Sequence, residues 1–280
     1  MAHVRKLRNY IALSLCTFAA FLGLFWLIFI LWDVFVHGIG SLRLSLFVND
    51  PAPPGLEGGG LRNAFVGQLI ITFFATLMGV PIGVLGATFL AEYARGKRFA
   101  RFISVLSDIM VSVPSIVVGA FVYAIMVNPA GHFSGWAGSV ALAIIMIPVV
   151  LRTTEDMLSL VPWTLREAAF ALGAPYYKVI IRVVYRGAAV GIITGILLSI
   201  ARVVGETAPL LFTSFNNSFF SANMNEPVSS LTVTIFQYAM GPYRSWHDQA
   251  WAASLMITFF ILGLTILSRV LLRWRRGKDE

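Results

Sequence analysis

Residues 10–32 carry no charged side chain, and that run settles what class of molecule this is. Inside lipid every backbone N–H and C=O must be paired within the protein, so only helices and closed barrels can cross. Unbroken apolar runs of about 20 residues or more favour helices over the alternating pattern of a barrel strand. The composition agrees. Of 280 residues, 58% are hydrophobic and 12% charged, roughly half the charge of an ordinary soluble domain. The expected fold is an all-α polytopic membrane protein with six transmembrane helices.

The first span is expected at 10–32, longer than the apolar core of about 7–15 residues in a cleaved signal, and therefore retained. Residues 37–62 are polar, with Pro51, Pro53, Pro54 and the run Gly58-Gly59-Gly60. Those glycines lack the spacing, Lys and Ser/Thr of a phosphate-cradling loop and read as a hydrated turn. The second span covers about 63–91, with Pro81 expected to kink it. A third, about 102–127, contains Asp108 and Pro114. Asp108 falls within the membrane or at its interface, the latter being the simpler reading. The fourth, about 137–151, continues through Arg152, Thr153, Thr154, Glu155 and Asp156. The fifth covers about 187–212 and the sixth about 251–272. Between them lies the longest polar connection, 214–249, within which 229–240 fits a short, partly buried helix. The chain divides into an amino-terminal span and loop, 1–62, and a core of five spans, 63–280. No repeat or low-complexity tract is present.

The formal net charge of +8 does not mark a nucleic-acid protein. No basic stripe with interleaved aromatics exists, and the charges sit at span ends. Counted by side, 17 Lys and Arg fall on the face shared by both termini, the 95–101 loop and residues 152–186. Only Arg43, Arg62 and Arg244 fall on the other. By the positive-inside rule both termini are cytosolic. Cys16 is the one cysteine, which excludes an intrachain disulfide and a Cys-based metal site. The four histidines, His3, His37, His132 and His247, lack ligand spacing. No Walker A sequence, HExxH, nucleophile–base set or paired carboxylates are present, so the chain is read as a non-enzyme.

Between spans four and five, Val161, Leu165, Ala168, Ala169 and Leu172 fall on one stripe of a helix. Pro162 suits the first turn, Gly173 a helix stop, and Ala174-Pro175 restarts a second short helix. This elbow resembles the EAA loop of type I ABC-importer permeases. Glu167-Ala168-Ala169, three residues and Gly173 stand in the family's register, directly after one span and before another. The resemblance implies a cytosolic elbow, residues 162–178, docked in a groove on an ATPase subunit. Glu167, Ala168, Ala169 and Gly173 are then the coupling residues. Gly173 is expected there because a side chain would obstruct the angle between the two helices.

A second resemblance is narrower. Ala201-Arg202-Val203-Val204-Gly205-Glu206-Thr207-Ala208-Pro209-Leu210-Leu211, with Val113-Pro114-Ser115-Ile116-Val117 and Leu90-Ala91-Glu92-Tyr93, looks like the PstA family. These are the A-type permease subunits of phosphate (Pst) importers, and the likeness covers roughly residues 60–275. The family usually closes its elbow with Leu-Pro; here Tyr185-Arg186 stands instead, which implies a gentler bend into span five. The resemblance implies a bacterial inner membrane location and a heterodimer with a PstC-like permease. It further implies two PstB-like ATPases, which hold the ATP and Mg, and a periplasmic phosphate-binding protein, PstS. No cofactor is expected in this chain.

Arg202 and Glu206 are expected in the transport path or its gate. A charge at the centre of a span costs about 2.5–3.5 kcal/mol on the insertion scale, so such groups face protein or a water-filled path. Their i, i+4 spacing would let them meet on one face of a helix. One reading is a buried pair that only fixes packing. The other is a guanidinium fork for a tetrahedral oxyanion. The function expected is the permease subunit of an ATP-driven importer of inorganic phosphate. A permease for sulfate or molybdate, an ion-coupled secondary transporter and a phosphate-sensing membrane subunit are the alternatives. In a Cys16→Ser background, Gly59→Cys or Asn217→Cys should label from the periplasm. Lys97→Cys or Lys278→Cys should label only from the cytosol, and labelling of Lys278→Cys from outside breaks the six-span topology.

Overall fold

The computed structural model describes residues 2–56 and 58–276; Lys278, counted above in the basic tail, lies outside them. The described residues form helices and loops, with no strand. In chain order the helices are α1, Ala2–Ser41, α2, Arg62–Tyr93, α3, Arg98–Ser112, and α4, Ser115–Ala130. They continue with α5, Gly135–Ser159, α6, Trp163–Ala171, α7, Tyr176–Val204, and α8, Ala208–Thr213. Last come α9, Leu231–Ala239, and α10, Arg244–Arg276. Five helices are long and apolar enough to cross a membrane, and α3 with α4 makes a sixth if that bent pair counts as one span. Pro81 lies inside α2 and Pro148 inside α5.

The expected straight span over 102–127 is corrected. It is broken between α3 and α4, which meet at a bend of 100°. The cause is Pro114, whose ring bars the preceding residue from helical geometry. Val113 is accordingly extended, with φ −67° and ψ 130°, and Pro114 caps the start of α4. Asp108, on α3, meets Arg152 of α5 at 3.6 Å with its side chain half exposed.

Span five is also corrected. Instead of running through 187–212, α7 begins in the elbow at Tyr176, passes unbroken through Tyr185 and Arg186, and stops at Val204. A separate short helix, α8, follows. Pro209 explains the stop, because it has no N–H to return to the Gly205 carbonyl. The loop helix expected at 229–240 forms as α9, with the Ser230 hydroxyl accepting from the Val233 N–H at its amino end.

At the centre stands α5, with 67% of its apolar window buried. It lies parallel to α2, where Gly79 and Gly83 face Met146 and Val150. It lies antiparallel to α7, where Gly187, Gly191 and Gly195 face Val161, Met157 and Thr153 in turn. Without a hydrophobic drive between helices in lipid, such small-residue rows let backbones approach closely enough for dispersion to hold them. A Cβ at Gly83 would sit 2.8 Å from the Val150 Cβ, and one at Gly195 2.7 Å from the Thr153 hydroxyl. Outside this centre α1 presents its apolar side chains outward and touches α10, with His37 stacked on Trp251 at 4.8 Å. Replacing Gly191 by Leu should therefore destabilise the protein by about 1–3 kcal/mol or more through overpacking against Met157. Gly23→Leu, on open surface of α1, should leave the melting temperature in detergent near the parent value.

Candidate functional site

The elbow is α6, a tight stop and the first turn of α7. Its stop is a full Schellman closure, with Gly173 N–H donating to the Phe170 carbonyl at 2.8 Å and Ala174 N–H to the Ala169 carbonyl at 3.2 Å. Gly173 adopts φ +77°, and a Cβ built there meets nothing within 4 Å. The expected steric role of Gly173 is thus corrected: the left-handed backbone requires glycine, not lack of space. The apolar stripe also divides. Val161 is buried and Ala169 half-buried, whereas Leu165, Ala168 and Leu172 are exposed together with Glu167. Leu172 is 89% exposed. Among the described residues, nothing covers this apolar ridge with its one carboxylate on the elbow's outer face.

The inner face holds a group that the sequence did not bring forward. Arg166, on α6, is buried, and its side chain forms an ion pair with Glu92 at 2.6 Å, the two side chains 2% and 1% exposed. All five guanidinium N–H groups have acceptors. Nε and Nη2 donate to the two Glu92 oxygens at 3.2 and 2.6 Å, and Nη2 also to the Leu158 carbonyl at 3.1 Å. Nη1 donates to the carbonyls of Val161 and Pro162, at 2.6 and 3.4 Å. Glu92 sits in a π-turn, Phe89–Tyr93, closing α2. The Tyr176 hydroxyl, first in α7, donates to the Glu92 carbonyl at 2.7 Å. Read as one more cytosolic charge, Arg166 gave no signal. A carboxylate ending an apolar span at Glu92 did, since such a group needs a cation.

The expected contact between Arg202 and Glu206 does not form. The helix ends at Val204, so Glu206 lies beyond it and the i, i+4 geometry is lost. Side chains at the far end of α2 and on α9 complete this break. Gln68 donates to the Val204 carbonyl at 3.4 Å and accepts from the Leu231 N–H at 3.2 Å. The Thr232 hydroxyl donates to the Glu206 carbonyl at 2.9 Å. Arg202 is exposed and lines a groove of about 270 Å³ with Met110, Val113, Ser115, Val117 and Phe121. It has no ion pair among the described residues. The bend between α3 and α4 forms one wall of that groove, so the two breaks in the spans converge at Arg202.

Residues 79–276 match the family described as "Binding-protein-dependent transport system inner membrane component". The chain is 50% identical over 268 residues to "Phosphate transport system permease protein PstA" of Pasteurella multocida, covering 96% of this chain and 95% of that protein. It is 48% identical over 272 residues to the protein of the same name from Haemophilus influenzae, covering 97% and 96%. Among solved structures it resembles the MetNI methionine ABC transporter, in an inward-facing crystal form, with TM-score 0.57 and 19% identity. That likeness covers 76% of this chain and 92% of the other. An amino acid ABC transporter crystallised with histidines gives TM-score 0.57 and 17% identity, over 76% and 92%. At those identities the structures speak for the fold alone, a type I importer permease. With its apolar helices, its elbow and the family match over most of its length, the chain belongs to the binding-protein-dependent transport system inner membrane components, multi-pass membrane subunits that serve transport rather than catalysis.

Proposed function

We propose that this chain is the permease subunit of an ATP-driven importer of inorganic phosphate. The observation that carries the reading is full-length identity of 50% and 48% with proteins named as phosphate permeases. In this reading it pairs with a PstC-like permease and with two PstB-like ATPases, which hold the ATP and Mg. A PstS-like binding protein delivers phosphate from the periplasm, and both termini of this chain face the cytosol. The exposed ridge of Leu165, Ala168 and Leu172 fits an apolar groove on the ATPase, and Glu167 fits a basic residue at its rim. Ala169, turned half inward, sets the helix against α7, and Gly173 fixes the angle between the elbow helices.

Arg202 and Glu206 then act separately. A guanidinium between apolar groove walls presents a planar fork of donors that fits a phosphate oxyanion. Glu206, half-buried at the break, sits four residues on and limits how long an anion stays beside Arg202. Uptake of labelled phosphate, against sulfate and molybdate, by the reconstituted complex tests the substrate. Transport of sulfate or molybdate in place of phosphate would overturn it, as would transport without an ATPase.

Three variants test the residues. Glu167→Lys should weaken ATPase association and lower phosphate uptake while the chain still inserts. Gly173→Val should impair uptake because a left-handed β-branched residue costs about 1–2 kcal/mol, whereas Gly173→Asn should stay near the parent. Arg202→Gln should assemble with bound ATPase yet lose roughly ten- to a hundredfold in uptake, the equivalent of about 1.5–3 kcal/mol for a charged hydrogen bond. Near-normal uptake by Arg202→Gln would remove it from the path.

A further inference from the structure

We infer that Glu92 and Arg166 are positioning residues that clamp both helices of the elbow to α2, making α2 a second lever, beside α7, that carries elbow movement across the membrane. The inference rests on the coupling role proposed above for the elbow. The chain itself ties the elbow only to α5 and α7, since Glu92 lies 74 residues before Arg166. The clamp adds a directed, charged link to α2 beside the apolar packing of Ala91 on the elbow cluster. It also straddles Gly173: the Glu92 carboxylate takes the Arg166 fork from α6, and its carbonyl takes the Tyr176 hydroxyl from α7. Phe170 of α6 stacks on Tyr176 at 5.6 Å, and Tyr93 meets Tyr176 edge-on at 5.2 Å. One residue of α2 therefore holds the elbow on either side of its hinge.

A buried ion pair adds little net stability over a well-packed apolar pair, so its contribution is geometric. Five directed donors, all accepted, leave the guanidinium one orientation. Any rotation of α6 must either break several of these bonds or drag Glu92 with it. Helix α2 then carries the displacement about 36 Å, at 1.5 Å per residue, from Glu92 to Gln68. There Gln68 holds the Val204 carbonyl at the break beside Arg202. The elbow and the break are thus joined twice, along α7 itself and through two side chains of α2.

The test uses the complete complex in proteoliposomes and measures phosphate transported per ATP hydrolysed. Glu92→Leu with Arg166→Met removes both charges together and leaves none unpaired. We expect this double variant to assemble and bind the ATPase, with the transport ratio lowered about tenfold, within the range usual for coupled sites. A ratio equal to the parent's overturns the clamp, because a merely structural pair would be replaced without loss. Should the double variant fail to assemble, Arg166→Lys decides, since it keeps the charge beside Glu92 and loses the fork. A lowered ratio with bound ATPase then supports the clamp, and an unchanged ratio overturns it. Loss of the ATPase from Glu167→Lys reports on docking, not on the clamp. If Glu167→Lys and Gly173→Val both keep full uptake, the coupling reading fails, and the clamp with it.

Discussion

Two rows of glycine hold α5, and the other spans take their places from that contact. Lipid tails are as apolar as leucine, so helices in a membrane gain nothing by merely hiding from solvent. What holds them is close approach, and Gly79, Gly83, Gly187, Gly191 and Gly195 remove the side chains that would prevent it. Each row meets bulkier residues, Met146 and Val150 of α5 on one side, Thr153 and Met157 of α5 with Val161 just beyond its end on the other. Helices α2, α5 and α7 thereby form one packed unit. Around it lie the less buried parts, α1 against α10 and the bent pair α3 and α4.

Charge is handled in two opposite ways around this unit. Arg166 is withdrawn from water, and every donor is matched, because removing one partner of a buried pair costs about 3–5 kcal/mol. Asp108 and Arg152 meet at 3.6 Å in partial exposure, where such a pair contributes at most about 1 kcal/mol. Arg202 is neither buried nor paired among the described residues, although it lies in a spanning helix with apolar groove walls. A group left in that state adds nothing to the fold. The proposed role of Arg202 in the transport path is the one that membrane ionisable groups most often have.

Much of this was legible in the sequence, for reasons particular residues make plain. The charge-free run 10–32, the elbow between spans and the stop at Gly173 are local features with strong physical signatures. The break after Val204 was written in Gly205 and Pro209, but hydropathy alone carried the span on to 212. The bend at Pro114 was hidden in the same way, since apolar residues continue on both sides of it. Two features needed tertiary knowledge. Nothing local shows that Arg166 turns inward to a carboxylate at the end of α2, or that the glycines of α7 face α5 rather than lipid. For Gly173 the helix stop was right and the reason for glycine differed, because backbone angle and side-chain space read alike in a sequence.

The break beside Arg202 is held differently from the unit it interrupts, and the difference points to where movement is cheapest. Val204 and Glu206 offer their carbonyls to Gln68 at 3.4 Å and Thr232 at 2.9 Å. Each neutral hydrogen bond of this kind is worth about 1 kcal/mol net, and water or another side chain can replace it. Separating α7 from α5 instead empties close contacts at Gly191 and Gly195, with no solvent able to fill them. A force arriving through α2 therefore meets close packing along its length, as far as Gly67 against Ser229, and replaceable hydrogen bonds at Gln68. In the proposed coupling the first segment to yield is 205–207, which carries Glu206 and adjoins Arg202 on the last turn of α7.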